Sequence, residues 1–244
     1  MKLVLSVSAV VAVSLSFLGF AISAPVVKGG KILHDDFDGK LALPWKVIRG
    51  DETHVSLKKV AGALVITTQR GSIHGKTEDD ALSEGKLAKN IHLVEIPFGQ
   101  DEDWVATTAV SNFLPDTSYQ QAGLIVYGDD DHYLKWGYEY NWATREGQRF
   151  FLVAETEAVP THAAPTENES GLKKYWLRLT KHGNKYEYAW SPDGEKWNVG
   201  GEQTWGDGKP KRLGLLAKNG GNKDAAEIDA AFEFFDLRVV PAKK

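Results

Sequence analysis

The 244-residue sequence contains no cysteine. This excludes disulfides, thiol nucleophiles and cysteine metal ligands, so packing and hydrogen bonds alone must hold the fold together. Runs of basic residues are also missing and the formal net charge is −4, so nucleic acid is not an expected partner. Helical periodicity is scarce. The best candidate is Asp80–Lys89, and Gly85 weakens it because glycine disfavours a helix interior.

The N-terminus has the layout of a secretory signal peptide. Met1 and Lys2 form a short basic head, Leu3 to Phe20 carry no charge, and small residues follow up to Ala24. We expect residues 1–23 to be removed and residues 24–244 to form one domain, secreted or periplasmic. No later apolar stretch is long enough to span a bilayer, so no membrane association is expected after removal of the signal.

The dominant period in the rest of the chain is two, which predicts strands with one buried face. In His132–Tyr140, for example, Trp136 and Tyr138 fall on one side and Lys135 and Glu139 on the other. The other strands that we predict are Leu33–Phe37, Val55–Leu57, Leu64–Thr68, Trp104–Phe113, Gln120–Tyr127, Gln148–Ala154, Tyr175–Thr180, Lys185–Trp190, Arg212–Lys218 and Ala231–Val240.

Turn residues separate these segments. His182-Gly183-Asn184 lies between two predicted strands, and Ser191-Pro192-Asp193-Gly194 is a proline-initiated turn. The longest predicted loop is Pro160–Pro165 together with Asn168–Gly171. Short strands joined by such turns predict an all-β sandwich or barrel. Trp136, Tyr138, Tyr188 and Trp190 follow the apolar alternation and are predicted to belong to its core.

Several segments, taken in order, resemble one known family. They are Asp36–Gly39, Lys89-Asn90-Ile91, Trp104–Thr108, Tyr119–Tyr133, Tyr175–Leu179, Ser191–Trp197, Leu213–Gly220 and Phe234–Leu237. The sequence resembles the concanavalin A-like domain at the C-terminus of bacterial β-xylosidases and arabinofuranosidases, and its free-standing relatives of unassigned function. The resemblance implies an all-β jelly-roll sandwich of two antiparallel sheets. In the enzymes it implies an accessory domain beside a separate catalytic propeller.

No pattern of catalytic residues emerges. Glu227, Asp229 and Glu233 echo the clustered acids of laminarinase-type jelly-roll glucanases, which the sequence resembles only there. In a strand, Glu227 and Glu233 would lie about 20 Å apart, whereas a retaining glycosidase holds its two carboxyl groups about 5–5.5 Å apart. The seven histidines show no paired metal-ligand spacing. We therefore predict no catalytic residue and no catalytic metal.

Calcium is a possible structural ion. Asp35, Asp36 and Asp38 lie near the first strand and Asp236 near the last, and these carboxylates would converge if the terminal strands pair. The alternative is a solvated acidic turn, which the usual exposure of aspartate favours.

A set of polar and aromatic side chains falls on the faces that the alternation turns away from the core. A hydroxyl-rich ligand needs such a mixture of amide, cation, carboxylate and aromatic ring. The set forms one patch only if its strands are neighbours in one sheet. The predicted ligand-binding residues are Gln121, Tyr133, Lys135, Glu139, Trp176, Arg178 and Lys218. Gly123 and Arg212 lie on the same faces, and Gly123 could open a groove.

The sequence thus favours an exported, non-catalytic carbohydrate-binding protein, with an oligo- or polysaccharide as partner. Two alternatives remain open. One is a glycan hydrolase or lyase with an acid pair assembled across strands, and the other is a sandwich that binds a protein. The interpretation of the patch that involves no ligand is a polar outer sheet surface with a Lys/Glu cross-strand pair.

Overall fold

The computed structural model describes residues 32–73, 86–99, 101–141, 147–163 and 169–240. Over these residues the chain forms two antiparallel β-sheets and a 3₁₀ turn at Glu52–His54. Residues 1–23 and 80–85, which carry the predicted signal peptide and most of the predicted helix, lie outside the described residues. Residues 86–89 are not helical. Within the described ranges, no helix is long and apolar enough to cross a membrane.

The larger sheet, called here the eight-stranded sheet, has the order β13-β12-β11-β6-β15-β4-β3, with β1 beside the second half of β15. Its strands are β1 (Ile32–Asp35), β3 (Val55–Ser56), β4 (Leu64–Thr67), β6 (Trp104–Ser111), β11 (Lys174–His182), β12 (Lys185–Ser191), β13 (Asn198–Thr204) and β15 (Asp229–Val239).

The second sheet, called here the seven-stranded sheet, has the order β10-β9-β8-β7-β14-β5-β2. Its strands are β2 (Lys46–Ile48), β5 (Ile91–Glu95), β7 (Gln121–Asp129), β8 (His132–Asn141), β9 (Gly147–Thr156), β10 (Val159–Ala163) and β14 (Arg212–Lys218). Two stacked antiparallel sheets with this element order form a jelly-roll sandwich, so the predicted all-β fold is confirmed.

The main core lies between the two sheets and is rich in aromatic rings. Trp136, Tyr138, Tyr188 and Trp190 all belong to it, as the alternation predicts. The ring of Phe150 stacks on Trp190 with centroids 4.5 Å apart. Large buried rings supply much of the apolar area that a cysteine-free sandwich needs.

A β-bulge in β15 keeps the core pattern intact along the last strand. The register shifts between Phe232 and Phe234, so Glu233 is the extra residue. Before the bulge the even-numbered Phe232 faces the core, and after it the odd-numbered Phe235 and Leu237 do. A bulge changes which positions face inward, which is why strict alternation fails over Ala231–Val240.

The strand predictions miss β2, β5, β10 and β13. In β5 both faces are buried, so the sequence shows a continuous apolar run instead of an alternation. The prediction of a loop over Pro160–Pro165 is wrong for the first part of that segment, because Val159–Ala163 forms β10. This strand is at the edge of its sheet, where proline is tolerated because one side of the strand needs no donor.

The outer face of the seven-stranded sheet is partly covered by the chain itself. Ile73 and Ala88 pack on that face against a second apolar cluster that includes Ile125, Tyr133 and Leu216. An isolated bridge between Ser72 and Leu87 joins the two covering segments. The face on which β8 places its polar residues is therefore largely buried.

Candidate functional site

Three neighbouring strands place a polar cluster on the outer face of the seven-stranded sheet. Lys135 Nζ donates to Gln121 Oε1 at 3.1 Å, and Gln121 Nε2 donates to Glu139 Oε2 at 2.6 Å. Arg149, on β9, donates to Glu139 Oε1 through Nε and Nη2 at 3.1 Å each. We call these four residues, Gln121, Lys135, Glu139 and Arg149, the polar cluster.

A pair of glycines forms the floor of the polar cluster. Gly123 and Gly137 are opposite each other on β7 and β8, between the level of Lys135 and the level of Gln121. A Cβ at either glycine would collide with the backbone of the other strand. Only glycine permits this close pairing, and the missing side chains leave room for Lys135 to reach Gln121.

Lys135 is the most unusual member of the cluster. It is 7% exposed, and its ammonium lies 5.4 Å from the ring centroid of Tyr133 and 5.8 Å from that of Phe151. Burial lowers the pKa of Lys135, while the negative charges of Glu155 and Glu139 oppose that shift. A buried cation held mainly by a neutral amide and two rings is typical of functional sites more than of sandwich cores.

Tyr133 and Glu155 extend the polar surface toward the other end of β8. The Tyr133 hydroxyl donates to Glu155 Oε1, and both residues are almost completely buried. Glu155 Oε2 is buried without a hydrogen-bond partner. Burial and the adjacent carboxylate of Glu155 raise the pKa of Tyr133, so its hydroxyl stays protonated and remains a donor.

Lys218 lies on β14 directly opposite Gln121, on the other side of β7 from Glu139. Its place beside Gln121 in the sheet and the face on which it lies agree with the predicted patch. The residue is 4% exposed. The five predicted residues that meet on this face are Gln121, Tyr133, Lys135, Glu139 and Lys218.

Trp176 and Arg178 do not join them, which corrects the prediction of one continuous patch. Both residues lie on β11 in the eight-stranded sheet. The sandwich core separates the two sheets, so these side chains face the opposite side of the molecule. Alternation along a strand gives the face of a residue but does not say which sheet the strand joins.

On that opposite side, two cations pack against two indole rings. Lys174 Nζ lies 4.7 Å from the Trp176 ring centroid, and the Arg178 guanidinium lies 4.3 Å from that of Trp197. Burial lowers the pKa of Arg178, and the negative charge of Glu187 opposes the shift. Arg178 Nε is buried without a hydrogen-bond partner. Trp176 and Trp197 retain partial exposure.

The β8 charges lie on the outer face of the sheet, as the alternation predicts. Lys135 and Glu139 are 7% and 4% exposed, because neighbouring side chains pack around them. Sequence alternation predicts orientation correctly here but carries no information on what covers the face.

Arg149 and Glu155 were missed by the sequence interpretation. Both lie on β9 opposite β8, Arg149 beside Glu139 and Glu155 beside Tyr133. Arg149 falls on the off-core side of the predicted strand Gln148–Ala154, in which Phe150 and Leu152 face the core, and Glu155 lies one residue beyond that prediction. The apolar Phe151 and Val153 on the same side hide this signal, because both faces of β9 are buried.

The acidic run near the C-terminus forms three separate ion pairs. Glu227 Oε2 is 3.0 Å from His54 Nε2, Asp229 pairs with Lys59 at 2.6 Å, and Glu233 pairs with Lys174. The partners come from different elements, and Glu233 occupies the bulge. This arrangement is that of a charged outer surface and does not bring the acids together.

Two of the acids suggested as calcium ligands, Asp35 and Asp236, are engaged by hydrogen-bond donors. The strands β1 and β15 do pair, but Asp35 accepts hydrogen bonds from the backbone N–H groups of Phe37, Ala42 and Leu43 and from Trp45 Nε1, at 2.8–3.1 Å. Asp236 pairs with His34 and Arg238. Among the described residues, no group of three or more His, Asp or Glu side chains lies where it could hold a metal ion.

The fold and the site place the chain in the class of concanavalin A-like jelly-roll domains. The family model described as "Beta xylosidase C-terminal Concanavalin A-like domain" matches residues 34–209. This match covers most of the chain, which therefore belongs to that family. The resemblance that the sequence motifs indicate is thus confirmed. No curated protein matches the sequence.

Solved structures agree with this assignment at the level of the fold. A GH43 protein, BlXynB from Bacillus licheniformis, is similar at a TM-score of 0.69 and 22% identity over 85% of this chain and 39% of that one. A xylan β-1,4-xylosidase from Bacillus halodurans gives 0.66 and 15% over 88% and 40%. The chain thus spans about two fifths of these enzymes. A functionally unknown protein from Saccharomyces cerevisiae gives 0.59 and 18% over 81% and 96%.

Proposed function

We propose that the protein is an exported, non-catalytic, lectin-like carbohydrate-binding protein, and that it contacts a glycan on the outer face of the seven-stranded sheet. The observation that carries this proposal is the polar cluster over the Gly123–Gly137 floor. Its amide, carboxylate and two cations are joined by hydrogen bonds at 2.6–3.1 Å. Tyr133 and Phe151 add aromatic surface beside Lys135.

The energetics of the cluster support a functional role. Burying an ion costs several kcal/mol, which ion pairs and hydrogen bonds often only offset. The polar cluster lies outside the core between the sheets, so the sandwich could do without it. A hydroxyl-rich ligand, in contrast, needs donors and acceptors that are already fixed in position.

The relatives suggest which glycan to examine first. The Bacillus halodurans structure is named as a xylan β-1,4-xylosidase, so xylan is the first choice. The activity of that enzyme is not carried over, because the present chain spans 40% of its length.

The carboxylates on the candidate face favour binding over hydrolysis. Glu139 is opposite Arg149, and Glu155 is opposite Tyr133, six residues along β8. Six residues of strand correspond to about 20 Å, and glycoside hydrolases place their two carboxyl groups at most about 9.5 Å apart. This pair therefore does not suit the enzyme alternative.

Export follows from the N-terminal pattern, with residues 1–23 as the signal and Ala24 as the first residue of the mature protein, in the periplasm or outside the cell. Expression of the full chain in an exporting bacterial host followed by N-terminal sequencing tests this. A mature chain starting at Ala24 is expected, and a chain retained in membranes with Met1 intact would contradict it.

The function is tested by incubating the exported protein with a polysaccharide panel that includes xylan, with and without calcium, and assaying reducing ends in the same wells. Retention on a glycan without release of sugar is the expected result. Release of reducing sugar would replace the proposal by the enzyme alternative. Neither retention nor release would overturn carbohydrate binding and favour a protein partner. A requirement for calcium would point to a structural ion.

A further inference from the structure

A cavity lies at one end of the sandwich, away from the polar cluster. Its volume is about 420 Å³, and it opens between the β7–β8 turn, the end of β9 and the segment that leads into β14. Its lining comes from the ends of β7, β8, β9 and β12 and from residues 205–212. Cavities of roughly 300–1,000 Å³ hold small-molecule ligands, and this one is near the lower limit.

Two of its walls are aromatic and fixed in place. Trp205 Nε1 donates to the carbonyl oxygen of Glu155 at 2.9 Å, and its ring meets Tyr186 edge-on with centroids 6.0 Å apart. On the opposite side the Arg212 guanidinium lies 5.0 Å from the Tyr127 ring centroid and donates to the carbonyl oxygen of Gly128. Trp205 is partly exposed, whereas Tyr186 is fully buried.

The rim carries both acceptors and donors. Asp129 Oδ1 lies 2.8 Å from His132 Nδ1 and also accepts from the backbone N–H of Asp131. The side chains of Asp129 and His132 are 65% and 42% exposed, so further atoms of both can meet a ligand. Asp207 and Lys209 add another carboxylate and a cation. Sugar hydroxyls donate and accept at once, which matches such a mixed rim.

From this geometry we infer that the cavity is a second carbohydrate site, which binds the end of a neutral sugar chain, one or two rings long, against Trp205. The cavity volume of about 420 Å³ limits the bound part of the ligand to this size. The ligand class rests on the proposed function, but the residues do not overlap with the polar cluster, so each site can fail without the other.

Isothermal titration of the full mature protein with xylobiose tests the inference. Thr156→Arg, on an exposed strand end that lines the cavity, is expected to fill the opening and weaken binding at least about tenfold, and Asp129→Asn about threefold. Thr161→Arg, on the edge strand β10, and His34→Ala, at a side chain that is 51% exposed, are controls that should bind as the unchanged protein does.

Unchanged xylobiose affinity in Thr156→Arg would overturn the inference. So would the absence of xylobiose binding at millimolar concentration. A parallel titration with long-chain xylan separates the two sites. Substitution of Lys135 should weaken the binding of the polymer and leave the binding of xylobiose unchanged. If both ligands respond only to Lys135, the cavity proposal fails and the proposed function stands. If neither ligand binds, both proposals fail for this class of glycan.

Discussion

Buried polar atoms in this protein differ in the number of hydrogen bonds that they make. Asp35, fully buried, accepts four hydrogen bonds and organises the chain from Phe37 to Trp45. The Tyr175 hydroxyl, also fully buried, has no partner at all. Leaving a buried polar group without a hydrogen bond lowers the free energy of unfolding by more than a typical hydrogen bond raises it. Substitution of these two residues should therefore change stability in opposite directions.

Removal of the Tyr175 hydroxyl is expected to leave the free energy of unfolding unchanged or to raise it by up to about 1 kcal/mol. The neighbouring Tyr138, whose ring centroid is 4.8 Å away, is the matched control. Its hydroxyl has one hydrogen to donate, and two acceptors lie within hydrogen-bond distance of it, Gln148 Oε1 and the carbonyl oxygen of Glu169. Tyr138→Phe should therefore lower stability by about 1 kcal/mol, and urea denaturation measures both variants. A loss in Tyr175→Phe equal to that in Tyr138→Phe would contradict this account.

The buried His92 is expected to contribute to the pH dependence of the free energy of unfolding. The residue is 2% exposed, and burial lowers its pKa although the Asn90 carbonyl, 2.8 Å from Nδ1, opposes the shift. Below about pH 6.5 the unfolded chain takes up a proton at this position before the folded chain does. The stabilisation is therefore complete above that pH and is lost as the pH falls through the folded-state value.

We expect the unchanged protein to lose more stability between pH 7 and pH 5 than His92→Gln, with a difference of at most about 1.4 kcal/mol per pH unit. Denaturant unfolding at several pH values measures it. Parallel curves for the two proteins would show that His92 does not titrate differently in the folded state.

At the scale of the elements, the sequence predicts strands well where one of the two faces carries polar side chains, whether or not that face is open to solvent. β8, β11 and β12 show the expected alternation because their other faces carry charges or hydroxyls. β5 shows no alternation and β9 only a weak one, because apolar side chains occupy both faces of each strand. The bulge at Glu233 likewise depends on pairing with β6, which no local pattern shows.

The β9–β10 hairpin contains a turn that its sequence does not favour. Glu157 and Ala158 have φ values of 54° and 60°, and they join strands in which Thr156 is opposite Val159. Two successive positive φ values define a type I′ turn, for which Asn-Gly is preferred. We expect Ala158→Gly to stabilise the protein by about 0.5–1 kcal/mol, because alanine is strained in this region.

Thermal unfolding checks the Ala158→Gly prediction. Ala154→Gly, in the middle of β9 with ordinary strand geometry, is the control and should destabilise. A decrease in melting temperature in both variants would show that the turn conformation stores no strain.

At the scale of the whole molecule, the candidate site was predictable in part. Period two in the sequence gives the face on which each polar side chain lies. The side chains come together because β8, β7 and β14 are neighbours in one sheet, and this holds for Gln121, Lys135, Glu139 and Lys218. The separation of Trp176 and Arg178 from them depends on which sheet β11 joins, and that is decided by pairing with β6 over a distance of about 70 residues. Long-range pairing of this kind is set by the global fold and not by local propensity.

The two faces also make the functional account testable, because each can be altered without the other. Lys135→Met removes the buried ammonium of the polar cluster and keeps its apolar stem. Trp176→Ala alters the opposite face. Lys185→Met is the control, since Lys185 is an exposed lysine that pairs with Glu202 on the surface. Thermal unfolding of each variant verifies that the comparison is made between folded proteins.

The most direct measurement of the central claim is the affinity of these three variants and the unchanged protein for the glycan that the polysaccharide panel identifies. The account predicts at least about tenfold weaker binding in Lys135→Met and near-unchanged binding in Trp176→Ala and Lys185→Met. Binding that is lost in Trp176→Ala and kept in Lys135→Met would contradict it and move the glycan site to the eight-stranded sheet.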